Sequence, residues 1–187
     1  MNAALKQDQI TAEEYLEGEE LGDVKHEYVG GLVYAMAGAS RDHNTLSLNL
    51  ASRLNAHLGA GPCRTHVADV KVRLRYLGSD IFYYPDVVVG CDPRDTEALY
   101  LEHPRVIVEV LSKGTERLDR REKYWAYRSA DSLEEYVLVA QDRREVTVFR
   151  KADNWQPMIL TAPESVLELR SLEFSLPLAA IYEGVKV

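Results

Sequence analysis

The chain has 187 residues, a formal net charge of −8 and a hydrophobic fraction of 46%. This length suits one domain, and we expect residues 1–187 to form a single unit with a substantial apolar core. The negative charge argues against a protein that coats nucleic acid by bulk electrostatics, and the lack of a run of about 18 apolar residues argues against a membrane-spanning helix. The polar first 20 residues lack a secretory signal pattern, which favours a cytoplasmic location.

The two cysteines, Cys63 and Cys91, show no spacing typical of a metal site or of a disulfide framework. We therefore expect two reduced thiols that behave as small hydrophobic side chains in a cytoplasmic protein.

The N-terminal region predicts a helix followed by a hairpin. Thr11, with Glu14 three residues later, is typical of a capping box and indicates a short helix over residues 11–20. The pair Gly30-Gly31 lies between apolar flanks and indicates a hairpin over residues 26–36. We expect this helix and hairpin, within residues 1–40, to pack on the core.

The rest of the chain alternates between helical and strand patterns. Leucines recur every four residues between 42 and 58, and Gly59 follows, so we predict a long helix that ends there. Thr115 is expected to cap a second helix that ends near Ser129. A short helix at 177–182 closes the chain. Strands are predicted at 67–76, 81–89, 106–111, 136–140, 145–150 and 155–160. The predicted fold class is mixed α/β, a twisted central mixed sheet flanked by helices.

Two carboxylates interrupt strands that are otherwise apolar. Asp86 precedes Val87-Val88-Val89, and Glu109 lies inside Val106-Ile107-Val108-Glu109-Val110-Leu111. An isolated ionised carboxylate in a buried strand costs several kcal/mol unless something pairs with it. If the two strands are antiparallel neighbours, Asp86 in mid-strand and Glu109 near a strand end converge. Carboxylate oxygens, with the main-chain carbonyl of Val110, would suit Mg²⁺ or Mn²⁺.

The helix after Glu109 supplies a candidate cation. Asp119, Lys123 and Tyr127 are spaced by four and share one helix face, which begins near the carboxylate end of the strand. A lysine there can hold a phosphate or orient a metal-activated water. Positive charge is concentrated in this segment, at Lys113, Arg117, Arg120, Arg121, Lys123 and Arg128.

Each of these features has a structural alternative. Asp86 could belong to a turn at the start of a strand, and Glu109 could face solvent from an edge strand. Asp119 and Lys123 could form an ordinary surface salt bridge worth a few tenths of a kcal/mol. The combination of all four in this order favours a functional site.

The pattern resembles the PD-(D/E)XK nuclease superfamily and, more closely, the Uma-type restriction endonuclease family. The similarity covers most of the chain. It includes His26-Glu27-Tyr28-Val29-Gly30-Gly31, Met36-Ala37-Gly38-Ala39-Ser40 with His43-Asn44, Tyr84-Pro85-Asp86-Val87-Val88-Val89, Val108-Glu109-Val110-Leu111-Ser112, Asp119 with Lys123 and Tyr127, and Glu135-Tyr136-Val137-Leu138-Val139.

This resemblance implies a restriction-endonuclease-like core, a divalent metal held by Asp86 and Glu109, DNA as the partner and a homodimer. The superfamily places a lysine two residues after the acid, but Leu111 occupies that position here. The resemblance implies that the lysine has moved to the next helix, at Lys123. It also implies that an early acid, Glu27, lies near the metal, although a surface charge on the hairpin explains Glu27 equally well.

Two further polar residues have open roles. His43 could line the same cleft, but capping or packing of its helix is favoured. Lys71 could contact phosphate, but a solvated strand face is favoured.

Two functions therefore remain as hypotheses. The first is a Mg²⁺-dependent endonuclease that hydrolyses DNA phosphodiester bonds, with Asp86, Glu109, Lys123 and Glu27 as catalytic residues. The second is a nuclease-fold module with weak or lost chemistry that binds nucleic acid or a protein partner. Leu111 in the usual lysine position and the charge of −8 favour the second hypothesis modestly.

Overall fold

The computed structural model describes residues 9–36, 38–112, 114 and 116–187. Among these residues, no helix is both long and apolar enough to cross a membrane. The helices are α1 Ala12–Leu21, α2 Arg41–Leu58, α3 Glu116–Leu118, a π-helical turn Asp119–Lys123, α4 Tyr124–Tyr127 and α5 Leu178–Ile181. The strands are β1 His26–Val29, β2 Leu32–Ala35, β3 Arg64–Val67, β4 Lys71–Tyr76, β5 Ser79–Tyr83, β6 Val87–Gly90, β7 Tyr100–Leu101, β8 Pro104–Leu111, β9 Glu135–Ala140, β10 Val146–Arg150, β11 Pro157–Leu160, β12 Val166–Leu169 and β13 Phe174–Pro177.

The strands form two mixed sheets and a small hairpin. One sheet has five strands in the order β2-β1-β5-β4-β7, and the other has six in the order β11-β10-β9-β8-β6-β3. β8 is antiparallel to β6 and parallel to β9. Strands β12 and β13 pair with each other. The mixed α/β class is confirmed, but the single central sheet of the sequence prediction is replaced by two sheets.

The N-terminal helix and hairpin are confirmed. Thr11 caps α1 through a complete capping box with Glu14. α1 packs on the five-stranded sheet through an aromatic cluster, in which the ring of Tyr15 lies 5.1 Å from that of Tyr28 and 5.3 Å from that of Phe82. Gly30 and Gly31 both have positive φ, which the tight turn between β1 and β2 requires.

The six-stranded sheet is covered on both faces. Its alternate valines, including Val106 and Val108, pack with the leucines of α2. Ile107 and Leu111 point the other way, toward the helical segment 116–127 and the five-stranded sheet. Because side chains alternate along a strand, Glu109 shares the second face. This places the acid between the two sheets.

Two predicted strands are broken in the structure. Residues 81–89 form the end of β5 and the start of β6, which belong to different sheets, and the chain crosses between them at Tyr84-Pro85-Asp86. Proline cannot donate a ladder hydrogen bond, which explains the break. Asp86 therefore precedes a strand and does not lie in mid-strand. Residues 67–76 are likewise divided, by a turn that contains Ala68 at a φ of 44°.

The C-terminal part differs from the sequence prediction in one element. The hairpin β12–β13 was not predicted, because its short strands lack a long apolar run. The closing helix at residues 177–182 is confirmed, with α5 covering Leu178–Ile181. The predicted cap of the second long helix, Thr115, lies outside the described residues, as do Lys113 and Ala37.

The prediction of two free thiols is wrong. Cys63 and Cys91 form a disulfide. They flank the paired residues Arg64 and Gly90 of antiparallel β3 and β6, so the strand register places them opposite each other. Sequence spacing alone does not reveal this register.

Candidate active site

Glu109 lies at the centre of a buried polar cluster. Its side chain is 4% exposed. Its Oε1 atom accepts a hydrogen bond of 2.8 Å from the hydroxyl of Tyr127 and one of 3.2 Å from Lys123 Nζ. The alternative in which Glu109 faces solvent from an edge strand is therefore wrong.

Lys123 joins three acids. Its Nζ atom lies 2.8 Å from Glu27 Oε1, 3.2 Å from Glu109 Oε1 and 3.5 Å from Asp119 Oδ1. The lysine side chain is 7% exposed. Its ammonium also lies 5.2 Å from the centre of the Tyr83 ring. The lysine of the helix thus reaches the acid of β8, as the resemblance implies.

The helix that carries Lys123 presents its polar face inward. Asp119, Lys123 and Tyr127 are all buried and share one side, as predicted. The turn from Asp119 to Lys123 is π-helical. π-Turns widen a helix and are frequent at functional sites. The alternative of a surface salt bridge between Asp119 and Lys123 is wrong, because both residues are buried.

Asp86 closes the other end of the cluster. Its Oδ2 atom accepts a 2.7 Å hydrogen bond from the backbone N–H of Val110 and lies 3.2 Å from His43 Nε2. Its own N–H donates to Glu109 Oε2 over 3.3 Å. The two acids of the sequence prediction thus converge. Asp86 is 19% exposed, so this end faces the solvent more than the Glu109 end does.

The cluster holds more negative than positive charge. Asp86, Glu109, Glu27 and Asp119 supply four carboxylates, and Lys123 supplies one ammonium. Burial raises the pKa of Glu109 well above its ordinary value; Lys123 opposes this rise and the other three acids add to it. The pKa of Lys123 is also raised, because Glu109, Glu27 and Asp119 outweigh the effect of burial. A bound divalent cation would neutralise the excess negative charge of these carboxylates.

The donor atoms suit a hard cation. Asp86 and Glu109 offer carboxylate oxygens, and Asp86 Oδ1 has no hydrogen-bond partner in the described part of the chain. Main-chain and carboxylate oxygens together favour Mg²⁺ or Mn²⁺ over zinc. Within the described ranges, no three or more His, Cys, Asp or Glu side chains are grouped as ligands around one point. A cation here would therefore depend on the two acids, a main-chain oxygen and water.

The remaining candidates divide clearly. Glu27 is 9% exposed and contacts Lys123, so it belongs to the cluster and is not a surface charge of the hairpin. His43 lies beside Asp86, with its Nε2 atom 3.2 Å from Asp86 Oδ2. Asp86 raises the pKa of His43 against the opposing effect of burial. Of the capping or packing role favoured for His43, the capping part is wrong, because Ser40 caps α2 and its side chain accepts a hydrogen bond from the His43 N–H.

Lys71 does not have a solvated side chain. The residue is 5% exposed, and its ammonium lies 5.2 Å from the centre of the Tyr84 ring. Tyr84 donates a hydrogen bond to Glu19 of α1. Helix α1 covers one face of the five-stranded sheet, and Glu27 lies on the other face. Lys71 therefore does not join the acid cluster.

Two tyrosines of the site were missed by the sequence reasoning. The hydroxyl of Tyr136, on β9, donates a 3.0 Å hydrogen bond to the carbonyl of Asp119, within the π-turn. The ring of Tyr83 lies beside Lys123. Both tyrosines sit in apolar strands, where an aromatic residue ordinarily signals only core packing. Tyr83, Glu109 and Tyr136 lie on three different strands, so no local sequence pattern connects them.

Comparison with known proteins gives the family of this chain. The model of the Uma2 family, described as "Putative restriction endonuclease", matches residues 12–179. The chain belongs to the Uma2 family. This membership and the fold support a nuclease.

Two uncharacterised proteins of Synechocystis sp. are similar to this Uma2 protein. One, slr1290, is 36% identical over 178 residues, which cover 94% of this chain and 93% of that protein. The other, sll1609, is 34% identical over 169 residues, which cover 89% of this chain and 93% of that protein.

A solved structure shares the fold. It is the crystal structure of a "putative nuclease belonging to DUF820" from Anabaena variabilis. The TM-score is 0.77 at 16% identity, with 93% of this chain and 98% of that chain covered. At this identity, the likeness establishes a common architecture.

Proposed function

We propose that this protein is a Mg²⁺-dependent endonuclease that hydrolyses phosphodiester bonds of DNA. One observation carries the proposal: three carboxylates, those of Glu27, Glu109 and Asp119, surround a single buried ammonium between the two sheets, and a fourth acid, Asp86, adjoins Glu109 through its backbone N–H. Buried ionisable groups with perturbed pKa values in a cleft are typical of catalytic centres. Membership of the Uma2 family supports the nuclease class.

Each residue has a role that follows from its position. Asp86 and Glu109, with the main-chain carbonyl of Val110, would hold Mg²⁺, and Mn²⁺ could substitute. When bound, the cation supplies Lewis-acid polarisation of the phosphate and lowers the pKa of water. Lys123 supplies a positive charge that can orient the attacking water or stabilise the negative charge that grows on the phosphate oxygens. Glu27 fixes Lys123 through the 2.8 Å contact.

The first experiment is a calorimetric titration of Mn²⁺ into the wild-type protein and into the Asp86→Ala/Glu109→Ala variant. We expect binding by the wild type and none by the variant. Cleavage of plasmid DNA with Mg²⁺ is then measured for both proteins and for Lys123→Ala. Glu135→Gln, which alters another buried acid, is the matched control for folding and should still bind Mn²⁺. Mg²⁺-dependent cleavage that survives in the Asp86→Ala and Glu109→Ala single variants contradicts the proposal.

One observation favours a second candidate, a nuclease-fold module that binds nucleic acid or a protein without turnover. Leu111 occupies the position of the usual lysine, and Lys123 is held by three acids. Under this alternative, Lys123→Ala changes binding and no cleavage is detectable in any variant. Salt dependence of binding would then report phosphate contacts. The homodimer and the cytoplasmic location stay predictions, which sedimentation and cell fractionation test.

A further inference from the structure

The helix that carries Lys123 has a second, outward face with a different composition. Arg117, Arg121 and Trp125 are exposed and follow one another at intervals of four, and the partly buried Arg128 ends the row. We call these four residues the arginine–tryptophan row. The buried Asp119, Lys123 and Tyr127 lie on the other side of the same helical segment.

The guanidinium groups of the row have no acidic partner in the part of the chain that the structure describes. Among the described residues, no carboxylate lies within ion-pair distance of Arg117, Arg121 or Arg128. By contrast, the neighbouring Arg120 pairs with Glu116 at 2.9 Å and with Glu145 at 3.0 Å. The exposed Glu122 directly follows Arg121 in the sequence. In a chain of net charge −8, this local excess of cations selects an anionic partner.

The aromatic member of the row is held in place. Trp125 is 53% exposed, and the Arg128 guanidinium lies 4.7 Å from the centre of its ring. The same guanidinium lies 5.1 Å from the Tyr124 ring and 5.3 Å from the Trp155 ring. Cation–π contacts of this kind fix the orientation of the rings. The indole of Trp125 thus presents a half-exposed, pre-oriented aromatic surface beside two unpaired arginines.

We infer that the arginine–tryptophan row binds an unpaired segment of DNA, with phosphates at Arg117 and Arg121 and a base stacked on Trp125. Alternation of basic and aromatic side chains is the pattern by which proteins hold single-stranded nucleic acid. A base within a duplex is stacked on both faces, so stacking on an indole requires an unpaired base. This inference rests on the proposed function and narrows its substrate to DNA with a single-stranded part.

The test measures fluorescence anisotropy of two labelled oligonucleotides of equal length in EDTA, one of thymidines and one with abasic sites. EDTA prevents cleavage, so failure of this inference is distinguishable from failure of the proposed nuclease. Trp125→Ala should weaken binding of the thymidine strand about tenfold and leave the abasic strand unchanged, as expected when one stacking contact is lost. Arg121→Glu should weaken binding of both strands. Glu122→Gln should strengthen both.

Matched controls come from the five-stranded sheet. Arg75→Glu makes the same change of charge at an exposed position of β4, and Tyr34→Ala removes a half-exposed aromatic ring of β2. Both controls should bind like the wild type. Equal affinities for Trp125→Ala and Tyr34→Ala, or equal losses on both strands in Trp125→Ala, would overturn the inference. So would sedimentation showing that Trp125→Ala dissociates a dimer, since the row would then be a protein interface.

Discussion

Two buried glutamates on neighbouring strands have opposite surroundings. Glu135, the first residue of β9, accepts hydrogen bonds from the N–H of Arg170, the N–H of Ser171 and the hydroxyl of Ser171, at 2.7, 3.3 and 2.6 Å. Arg150 Nε lies 3.5 Å from it. One acid thus faces one cation and three donors. Glu109, on the adjacent β8, shares one lysine with other acids.

The difference separates a structural ion pair from a candidate catalytic centre. A buried ion pair whose acid accepts three further hydrogen bonds holds β9 to the segment before β13, and this structural role requires no ligand. A cluster with an excess of negative charge destabilises the fold through repulsion between its carboxylates. Such a cluster is expected where a ligand reduces that repulsion. The comparison can be tested by making equivalent changes in both places.

The largest effect is expected when the cation of each cluster is removed. Lys123→Met and Arg150→Met should each lower the free energy of unfolding in EDTA by about 3–5 kcal/mol, because buried carboxylates lose their counterion. Urea unfolding measures both losses. Mn²⁺ should restore part of the stability of Lys123→Met and none of that of Arg150→Met. If Mn²⁺ restored the stability of both variants equally, the Glu109 cluster would not differ from the Glu135 ion pair in its ability to bind a cation.

The glutamates themselves should respond with opposite signatures. Glu135→Gln should lower the free energy of unfolding by about 2–3 kcal/mol, because it removes the buried charge that faces Arg150, leaves only the partly exposed Asp153 beside that guanidinium, and mismatches the hydrogen-bond donors, while Mn²⁺ binding is kept. Glu109→Gln removes one charge from a surplus. Its stability in EDTA should stay within about 1 kcal/mol of wild type while Mn²⁺ binding and cleavage are lost. Chemical denaturation and calorimetry on the same samples decide between these outcomes.

The pH dependence of stability should reveal the raised pKa of Glu109. An acid with a folded pKa above its ordinary value of 4.5 binds a proton more tightly in the native state, so the stability of the metal-free protein falls as pH rises from 4.5 through the folded pKa. The raised pKa of His43 acts in the same direction above 6.5. Relative to Glu109→Gln, the wild type should therefore lose stability as the pH rises above about 4.5. A constant difference across this range would contradict the raised pKa.

The smallest effects concern one hydroxyl on each glutamate. Tyr127→Phe removes the donor to Glu109, and Ser171→Ala removes the hydroxyl donor to Glu135. Each should cost about 1 kcal/mol in thermal or urea unfolding. Only Tyr127→Phe should weaken Mn²⁺ affinity, by about tenfold, because its hydroxyl orients a metal-binding carboxylate. A matching loss of affinity in Ser171→Ala would indicate a general effect of stability.

Much of the site was predictable because acids are costly in apolar strands. Asp86 and Glu109 stood out for this reason, and the fourfold spacing of Asp119, Lys123 and Tyr127 predicted their common face. The regular elements followed from local signals, such as the Thr11 capping box and the leucines of α2.

The features that could not be predicted from the sequence depend on contacts between residues far apart in the chain. The disulfide between Cys63 and Cys91 follows from the register of β3 and β6, and the crossing at Tyr84-Pro85-Asp86 assigns one apolar run to two sheets. The burial of Lys71 depends on α1 covering its sheet. No local pattern reports such long-range contacts.

The contact between Glu27 and Lys123 has a consequence for assembly. Glu27 lies on β1 of the five-stranded sheet, whereas Glu109 lies on β8 of the six-stranded sheet, and the lysine joins them across the gap. A chain that had folded each sheet without docking them would contain every residue of the cluster and lack its chemistry. The ammonium can contact both acids only after the two sheets have docked, so the complete cluster is a property of the assembled tertiary structure.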